Sequence, residues 1–532
     1  MSTDPVKLTR RSAVTLAGAA AFAPLRANAT TDWLGDIDAS VARGLSLYGA
    51  PGLSLAVVRS GHEPIIRGYG ARSVGRPGAV QVDTVLPIAS LTKAFTSAAV
   101  AMLVSDGKLD WDDKVAARLG DFQMYDPVAT REMTVRDLLV HRSGLGLGEG
   151  DLMLFPRTDF TRQEVVRKLR YLKPASEFRS GSAYDNVLYL VAGELIGAVS
   201  GQPWESFVQD RILGPVGMSD GASCERLLSN NASRATLHAR ISGIVRGVGP
   251  VTALPPEPPA DLSNPAGGVF ASARDMAKWI AVQLAKGALP DGRRLWSEQA
   301  GAAMWNPLTV VDANVDGAGP DTDPHFVLGA PGWVILDYRG TPVTMHVGAL
   351  PGLTTRIMLV PSKSLGLYIG LNSEEETLHE SMAYTILDAA LGLPTRDYLR
   401  EGAAQDEARR QRRLKRAATQ TLVRPQPIVA PGRALADYAG RYRSDWYGDI
   451  VVTLGRSGLA IDFTRTPAMR GPLLPWTGET FLTRFPDHNI EDALATFTAE
   501  PSGPIVGLRL KAASASADFS FDYQDLALLR IG

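Results

Sequence analysis

Ser90-Leu91-Thr92-Lys93 places a hydroxyl and an amine three residues apart, just after the extended stretch Val85-Leu86-Pro87-Ile88. An apolar run through Ala94, Phe95, Ala98, Val100, Met102 and Leu103 follows, which predicts a helix opening at this point. Positions i and i+3 share a helix face, so the Lys93 amine would lie beside the Ser90 hydroxyl. A helix start also offers unpaired N–H groups and a positive dipole end, which suit a developing oxyanion. The chemistry this spacing allows is attack by an activated serine. The same spacing at Ser105-Asp106-Gly107-Lys108 reads as chance, because Gly107 ends the helix and turns the chain toward solvent.

Two further motifs stand downstream. Tyr184-Asp185-Asn186 is the one Tyr-x-Asn in the chain and precedes the apolar helix Val187-Leu188-Tyr189-Leu190-Val191-Ala192. His346-Val347-Gly348 is the one His-x-Gly, at the end of an expected strand and followed by Ala349-Leu350-Pro351-Gly352. A rival nucleophile motif, Gly217-Met218-Ser219-Asp220-Gly221, has the Gly-x-Ser-x-Gly form. It lacks the buried strand and following helix that such an elbow needs, since Gly214-Pro215 breaks the approach.

Ser-x-x-Lys, Tyr-x-Asn and His-x-Gly in this order resemble the penicillin-recognising serine hydrolases, in the branch of class C β-lactamases, D-alanyl-D-alanine carboxypeptidases, esterases and D-aminopeptidases. The resemblance covers roughly residues 40–390. It extends to Asp137-Leu138-Leu139-Val140-His141-Arg142-Ser143-Gly144-Leu145, Pro215-Val216-Gly217-Met218, Asn264-Pro265-Ala266-Gly267-Gly268-Val269 and Ala273-Arg274-Asp275-Met276. By that resemblance Ser90 forms an acyl-enzyme and Lys93 accepts its proton. Tyr184 shuttles the proton to the leaving group, and Asn186 orients Lys93 and a substrate amide. The backbone N–H groups of Ser90 and Ala349 form an oxyanion hole, where one donor is typically worth about 2.7–4 kcal/mol. Gly348 lets substrate lie close to its strand. At an ordinary lysine pKa only about one amine in 2,500 is neutral at pH 7, a handicap of roughly 4.6 kcal/mol. Burial or nearby positive charge must therefore lower the pKa of Lys93, or the base is Tyr184.

His346 departs from the Lys-Thr-Gly usual in the β-lactamases and carboxypeptidases. A largely neutral imidazole implies weaker carboxylate recognition and so weak β-lactamase activity; by the resemblance, histidine here is more usual among the esterases, amidases and D-aminopeptidases of the branch. Asp185 is a second departure, whose direction the sequence leaves open. His141 reads as a buttress of the Ser143-Gly144 loop, and Trp305 and Tyr125 as weaker cleft-lining positions. The expected function is a serine hydrolase of small amides, peptides with D-residues, or esters. The alternatives are a class C-like β-lactamase and a non-catalytic protein that binds cell-wall peptides or penicillins.

The elements that must position these residues follow an α+β plan. Leu53–Val58 and Pro64–Gly70 read as paired strands around Arg59-Ser60-Gly61-His62. Gly332–Leu336, Val343–His346, Thr355–Val360 and Leu365–Gly370 read as later hairpin strands. The two strand groups are expected to meet in one antiparallel sheet flanked by helices, with a helical lobe inserted. Residues 30–400 form this β-lactamase/transpeptidase-like domain, and 401–433 form a linker. The linker holds a helix over 401–424, rich in cations (Arg409, Arg410, Arg412, Arg413, Lys415, Arg416), then breaks at Pro425-Gln426-Pro427 and Pro431-Gly432. Residues 434–532 alternate in short strands, among them Leu459–Phe463, Leu508–Leu510 and Phe519–Tyr523, and predict a small antiparallel barrel. Tyr438-Ala439-Gly440-Arg441-Tyr442 and Trp446–Ile450 there resemble the lipocalin-like module of some members of the branch.

At 532 residues with 45% hydrophobic and 21% charged residues, the chain suits several packed domains. Its formal charge of −1 gives no reason to expect nucleic acid or an acidic membrane as partner. The single cysteine, Cys224, excludes an intrachain disulfide and a Cys-based metal cluster; neither cofactor nor metal is expected. Thr9-Arg10-Arg11, the apolar stretch Ala13–Leu25 and Ala27-Asn28-Ala29 read as a twin-arginine-type signal over 1–29, too short to span a membrane stably. Those residues hold four basic groups and one acidic, so the remainder carries −4. A periplasmic or secreted protein is expected, acting on a small-molecule substrate, with oligomerisation left open.

Overall fold

The computed structural model describes residues 34, 36–229, 232–241, 246–256, 260–311, 324–419, 429–500, 503–514 and 517–532, without the side chains of 416–419. The expected signal, the Pro425-Gln426-Pro427 break and the Arg416 side chain lie outside the described residues. The principal elements of the first domain are α1 (Ile37–Tyr48), β1 (Gly52–Arg59), β2 (Ile65–Gly70), α2 (Thr92–Ser105), α3 (Val187–Ser200) and α4 (Ala273–Leu284). They continue as β3 (Thr309–Val310), β4 (Val327–Ala330), β5 (Trp333–Tyr338), β6 (Thr341–Leu350), β7 (Leu353–Val360), β8 (Leu365–Leu371), α5 (Glu376–Leu391) and α6 (Tyr398–Thr419).

The eight strands form one antiparallel sheet in the order β2-β1-β8-β7-β6-β5-β4-β3. The two strand groups meet as the hydrophobic pattern implies: β1 pairs with β8 from Leu53↔Leu371 to Arg59↔Leu365. Both faces are buried, and the period of two sorts the side chains. Leu53, Leu55 and Val57 of β1, Met358 and Val360 of β7, and Leu365, Leu367 and Ile369 of β8 share one core with Leu378 and Met382 of α5. Ala56, Ile357, Leu359 and Tyr368 face the opposite core, with Trp279 and Ile280 of α4. Helix and sheet approach closely there, since a Cβ on Gly366 would lie 2.4 Å from Ile280 Cγ2.

Helix α2 is buried from Thr92 to Leu103, so its near-continuous apolar run reflects a position between the sheet and the helical lobe. It packs on α3, and Phe95 stacks on Trp279 at 4.0 Å between ring centroids. It ends at Asp106, with Gly107 at φ +68. Helix α6 begins three residues before the expected start, because Tyr398 and Leu399 insert into the core beside Tyr384.

Beyond it, eight antiparallel strands from Gly440–Ser444 to Leu528–Arg530 close into a barrel. The barrel seats on the helical lobe. The Arg465 guanidinium stacks 3.9 Å from the Phe160 ring and bonds Glu164 at 3.1 Å, and Phe160 meets Tyr447 edge to face at 5.9 Å. One expected strand is corrected. Phe519–Ser520–Phe521–Asp522 is not a strand but a loop leading into the 3₁₀ turn Tyr523–Asp525. It is held by side-chain partners in the first domain, not by a ladder: the Asp522 carboxylate accepts the Gly150 and Leu152 N–H groups at 2.7 and 3.1 Å.

Because Phe95 fixes the helix that carries Lys93, Phe95→Ala is expected to destabilise the first domain by about 3–5 kcal/mol. Urea unfolding followed by tryptophan fluorescence measures this; a loss below about 1 kcal/mol would contradict the packing described.

Candidate active site

Ser90 sits on the single 3₁₀ turn Ala89–Leu91 that runs directly into α2. Ala89 holds φ +49, a left-handed conformation that costs a residue with a Cβ about 1 kcal/mol or more and that packing must enforce. The enforcement is visible. The Ile88 N–H donates to Val269 O at 2.9 Å, the Thr355 hydroxyl donates to Ile88 O at 2.9 Å, and Val269 N–H donates to the Thr92 hydroxyl at 3.1 Å.

The structure brings Ser90, Lys93 and Tyr184 together. Ser90 Oγ lies 3.2 Å from Lys93 Nζ and 2.8 Å from the Tyr184 hydroxyl. The amine has two other partners, Asn186 Oδ1 at 2.8 Å and Ala266 O at 3.2 Å. It sits 4.7 Å from the Tyr184 ring centroid and 5.0 Å from that of Tyr189. Lys93 has no exposure, while Ser90 and Tyr184 are half-buried, so the hydroxyls stand where the dry interior meets the cleft. Burial lowers the Lys93 pKa to about 7, against the opposing pull of Asp151 and Asp185.

Asp185 points away from the amine. Its carboxylate accepts the Ser143 hydroxyl at 3.1 Å and lies 3.9 Å from His141 Nδ1. That imidazole also accepts the Asp185 N–H at 3.2 Å, and its ring lies 4.4 Å from that of Tyr184. His141 therefore supports the Tyr184-Asp185 backbone and ring as well as the loop at Ser143. Tyr125 borders a small recess beside Ser143 and Leu145, whereas Trp305 joins the hydrophobic core at the end of the helix Glu298–Met304.

His346 and Gly348 lie on β6, whose pairing with β5 stops at Met345. From there to Leu350 its described ladder partner is β7, and the strand passes the Ser90 turn. A Cβ on Gly348 would lie 2.5 Å from Ile88 O and 2.4 Å from Thr355 Oγ1, so glycine is required for this approach. Ala349 is exposed beside it. His346 is buried, and burial first, then the Lys93 charge, depresses its pKa to about 3. Its Nδ1 lies 2.7 Å from Val347 O, which places the proton on Nδ1 and leaves Nε2 an acceptor. Among the described residues no cluster of His, Cys, Asp and Glu is arranged to hold a metal ion.

Several residues at the site carry no motif. Asp151, fully buried, accepts the Asn186 Nδ2 donor at 2.9 Å and the Ser520 hydroxyl at 2.9 Å. Both ends of the Asn186 amide are thus engaged within the protein. Phe519 lies edge-on to Tyr184 at 6.1 Å. Glu149-Gly150-Asp151 offers no spacing that announces it, and the barrel residues become part of the site only through docking.

Comparison with known proteins places the family and the fold. The sequence model of the family described as Beta-lactamase matches residues 37–391, and one described as "Domain of unknown function (DUF3471)" matches 424–530. Unguisins hydrolase ungD of Aspergillus violaceofuscus is 27% identical over 469 residues, covering 83% of this chain and 80% of that protein. The octameric penicillin-binding protein homologue from Pyrococcus abyssi aligns with a TM-score of 0.57 at 18% identity, covering 93% of this chain and 100% of that one. The D-amino acid amidase from Ochrobactrum anthropi SV3 complexed with D-phenylalanine aligns with a TM-score of 0.53 at 25% identity, covering 67% and 97%.

The burial of Lys93 makes a direct prediction. In a protein carrying ¹⁵Nζ-labelled lysine, the Lys93 resonance should titrate with a midpoint near pH 7. A midpoint in the ordinary lysine range, about 10 or above, would mean that the amine is solvated.

Proposed function

The chain belongs to the beta-lactamase family, and on that premise we propose that it is a serine hydrolase acting through an acyl-enzyme on small amides, peptides containing D-residues, or esters. The observation that carries this reading is one hydroxyl shared by two proton carriers. Ser90 Oγ lies within hydrogen-bond distance of both a lysine whose pKa is about 7 and the Tyr184 phenol.

At pH 7 about half of such an amine is neutral, so the handicap of roughly 4.6 kcal/mol for an ordinary lysine falls below about 1 kcal/mol. Ser90 Oγ attacks the substrate carbonyl while Lys93 takes its proton. The oxyanion forms against the N–H groups of Ser90 and Ala349, at the point where Gly348 brings β6 onto the Ser90 turn. Tyr184 carries the proton from the Lys93 side to the leaving nitrogen or oxygen, which departs and leaves the acyl-Ser90 ester. Water then attacks that ester with the same groups acting in reverse, and the free acid and the Ser90 hydroxyl are restored. Asn186 orients the lysine through Oδ1, while one Nδ2 hydrogen is given to Asp151 and the other is left for a substrate amide.

Substrate preference follows from His346. A buried imidazole with a pKa near 3 carries no charge at physiological pH, so it offers an acceptor nitrogen where a fixed cation would clamp a carboxylate. That favours uncharged amides and esters over β-lactams. A relative named as a hydrolase and a structural neighbour named as a D-amino acid amidase support the same class. We also propose export through the Arg10-Arg11 signal, with the action in the periplasm or outside the cell.

A paired panel of D- and L-aminoacyl amides, esters and a chromogenic cephalosporin tests the class. Turnover of amides or esters is expected to exceed that of the cephalosporin by about a hundredfold or more, and to fall by about 10³-fold or more in Ser90→Ala and Lys93→Ala alike. The acidic limb of kcat/KM should sit near pH 7, with activity rising as Lys93 loses its proton. A Lys93→Ala enzyme keeping a tenth of the rate would remove the assigned base. Exchanging Arg10 and Arg11 for lysine should hold the protein in the cytoplasmic fraction; unchanged export would refute the twin-arginine route.

A further inference from the structure

The amide of Asn186 has only one orientation that serves the amine, and something must choose it. Its Oδ1 faces Lys93 Nζ at 2.8 Å because its Nδ2 faces Asp151 Oδ2 at 2.9 Å. As a carboxylate Asp151 can only accept, so above its burial-raised pKa of about 7 it forbids the flipped amide. Flipped, Asn186 would present N–H groups to the lysine, opposing an ammonium and competing with Ser90 for the lone pair of a free amine.

Asp151 is itself held from the second domain. Ser520 donates to the same Oδ2 at 2.9 Å. Asp522, two residues on, takes the N–H groups of Gly150 and Leu152, which flank Asp151 on either side. Phe519 packs at Gly148, where a Cβ would stand 2.5 Å from its ring, and lies edge-on to Tyr184. The loop between the last two barrel strands thus fixes the Asp151 turn by backbone and by side chain.

We propose that Asp151 is a positioning residue for Lys93, and that Ser520 of the C-terminal barrel completes the relay Ser520–Asp151–Asn186–Lys93, making the barrel part of the hydrolytic site. This rests on the reading of Lys93 as the base. The relay has an electrostatic sign. Lys93 is faced by Asp151, Asp185, His346, Tyr184 and Tyr189, with His141 behind Tyr184; Asp151 is faced by Lys93, Asp185 and Asp522. Of these, Asp151 and Asp185 favour the ammonium and oppose burial. The Ser520 hydroxyl favours the Asp151 anion, and through it the proton on Lys93.

The test uses the full-length protein and the pH dependence of Ser90 acylation by an activated p-nitrophenyl ester, read as the burst of p-nitrophenol and by intact mass. Asp151→Asn should lower the plateau rate about tenfold or more, because the amide of Asn186 loses its director. It should also move the acidic limb down by about one pH unit, because an anion near Lys93 is gone. Ser520→Ala should move the limb in the same direction by about half as much, and Ser520→Thr, which keeps the hydroxyl, should restore it. Ser520 is half-buried on a loop, so its variants carry the test even where Asp151→Asn folds poorly. A limb unmoved in Ser520→Ala, or moved equally in Ser520→Thr, would overturn the relay while leaving the hydrolase reading intact. A wild-type protein without an adduct on Ser90 would instead remove the reading on which the relay rests.

Discussion

Lys93 is fully buried, and the cost of keeping an amine there governs the arrangement of everything around it. Burying an unpaired ammonium costs several kcal/mol, while a direct ion pair would hold its proton firmly. The site does neither. The amine is satisfied by a carbonyl, an amide oxygen and a hydroxyl, with two aromatic faces beside it. Both nearby carboxylates are turned onto other donors, Asp151 onto Asn186 and Ser520, and Asp185 onto Ser143. Their fields reach Lys93 without a contact, and the balance leaves its pKa near 7.

The fold exists in the form that this balance requires. A helix start cannot be dry unless the helix is enclosed on all sides, and α2 is buried from Thr92 to Leu103 between the sheet and the helical lobe. The nucleophile must still meet solvent, so it stands one turn earlier, on a strained 3₁₀ segment held at Ile88 by a hydrogen bond to Val269 O and one from the Thr355 hydroxyl. Strand β6 loses its β5 partner after Met345 and passes that turn at the distance only Gly348 permits. Charge follows the same rule: a second cation at position 346 would confront Lys93 in a dry cavity, and the residue present is a neutral imidazole.

Much of this was legible in the residues. The period-two runs at Leu53–Val58 and Leu365–Gly370 are buried on both faces of one sheet, and the meeting of the first domain's early and late strands in that sheet accords with their apolar composition. Ser90, Lys93, Tyr184 and Asn186 were visible because motifs record short-range spacing, and each such spacing lies within one helix turn or strand end. The direction of Asp185 was not, because a side chain's choice between Lys93 and the Ser143–His141 side depends on residues forty positions away. Asp151 was invisible for the same reason.

The segment Phe519–Tyr523 shows why the missed pieces belong together. Its alternation of apolar and polar residues is that of a strand, yet two of its polar members are consumed by the other domain: Ser520 by Asp151, and Asp522 by the backbone around it. A buried carboxylate such as Asp522 is tolerable only where donors are fixed in place, and those donors exist only when the barrel is seated. Burial raises the pKa values of Asp522, Asp151 and Glu149, the latter two to about 7. The interface therefore gathers buried acids at the Asp151 turn, where proton occupancy is settled by the same kind of burial that tunes Lys93. The two domains share one electrostatic problem, and neither solves it alone.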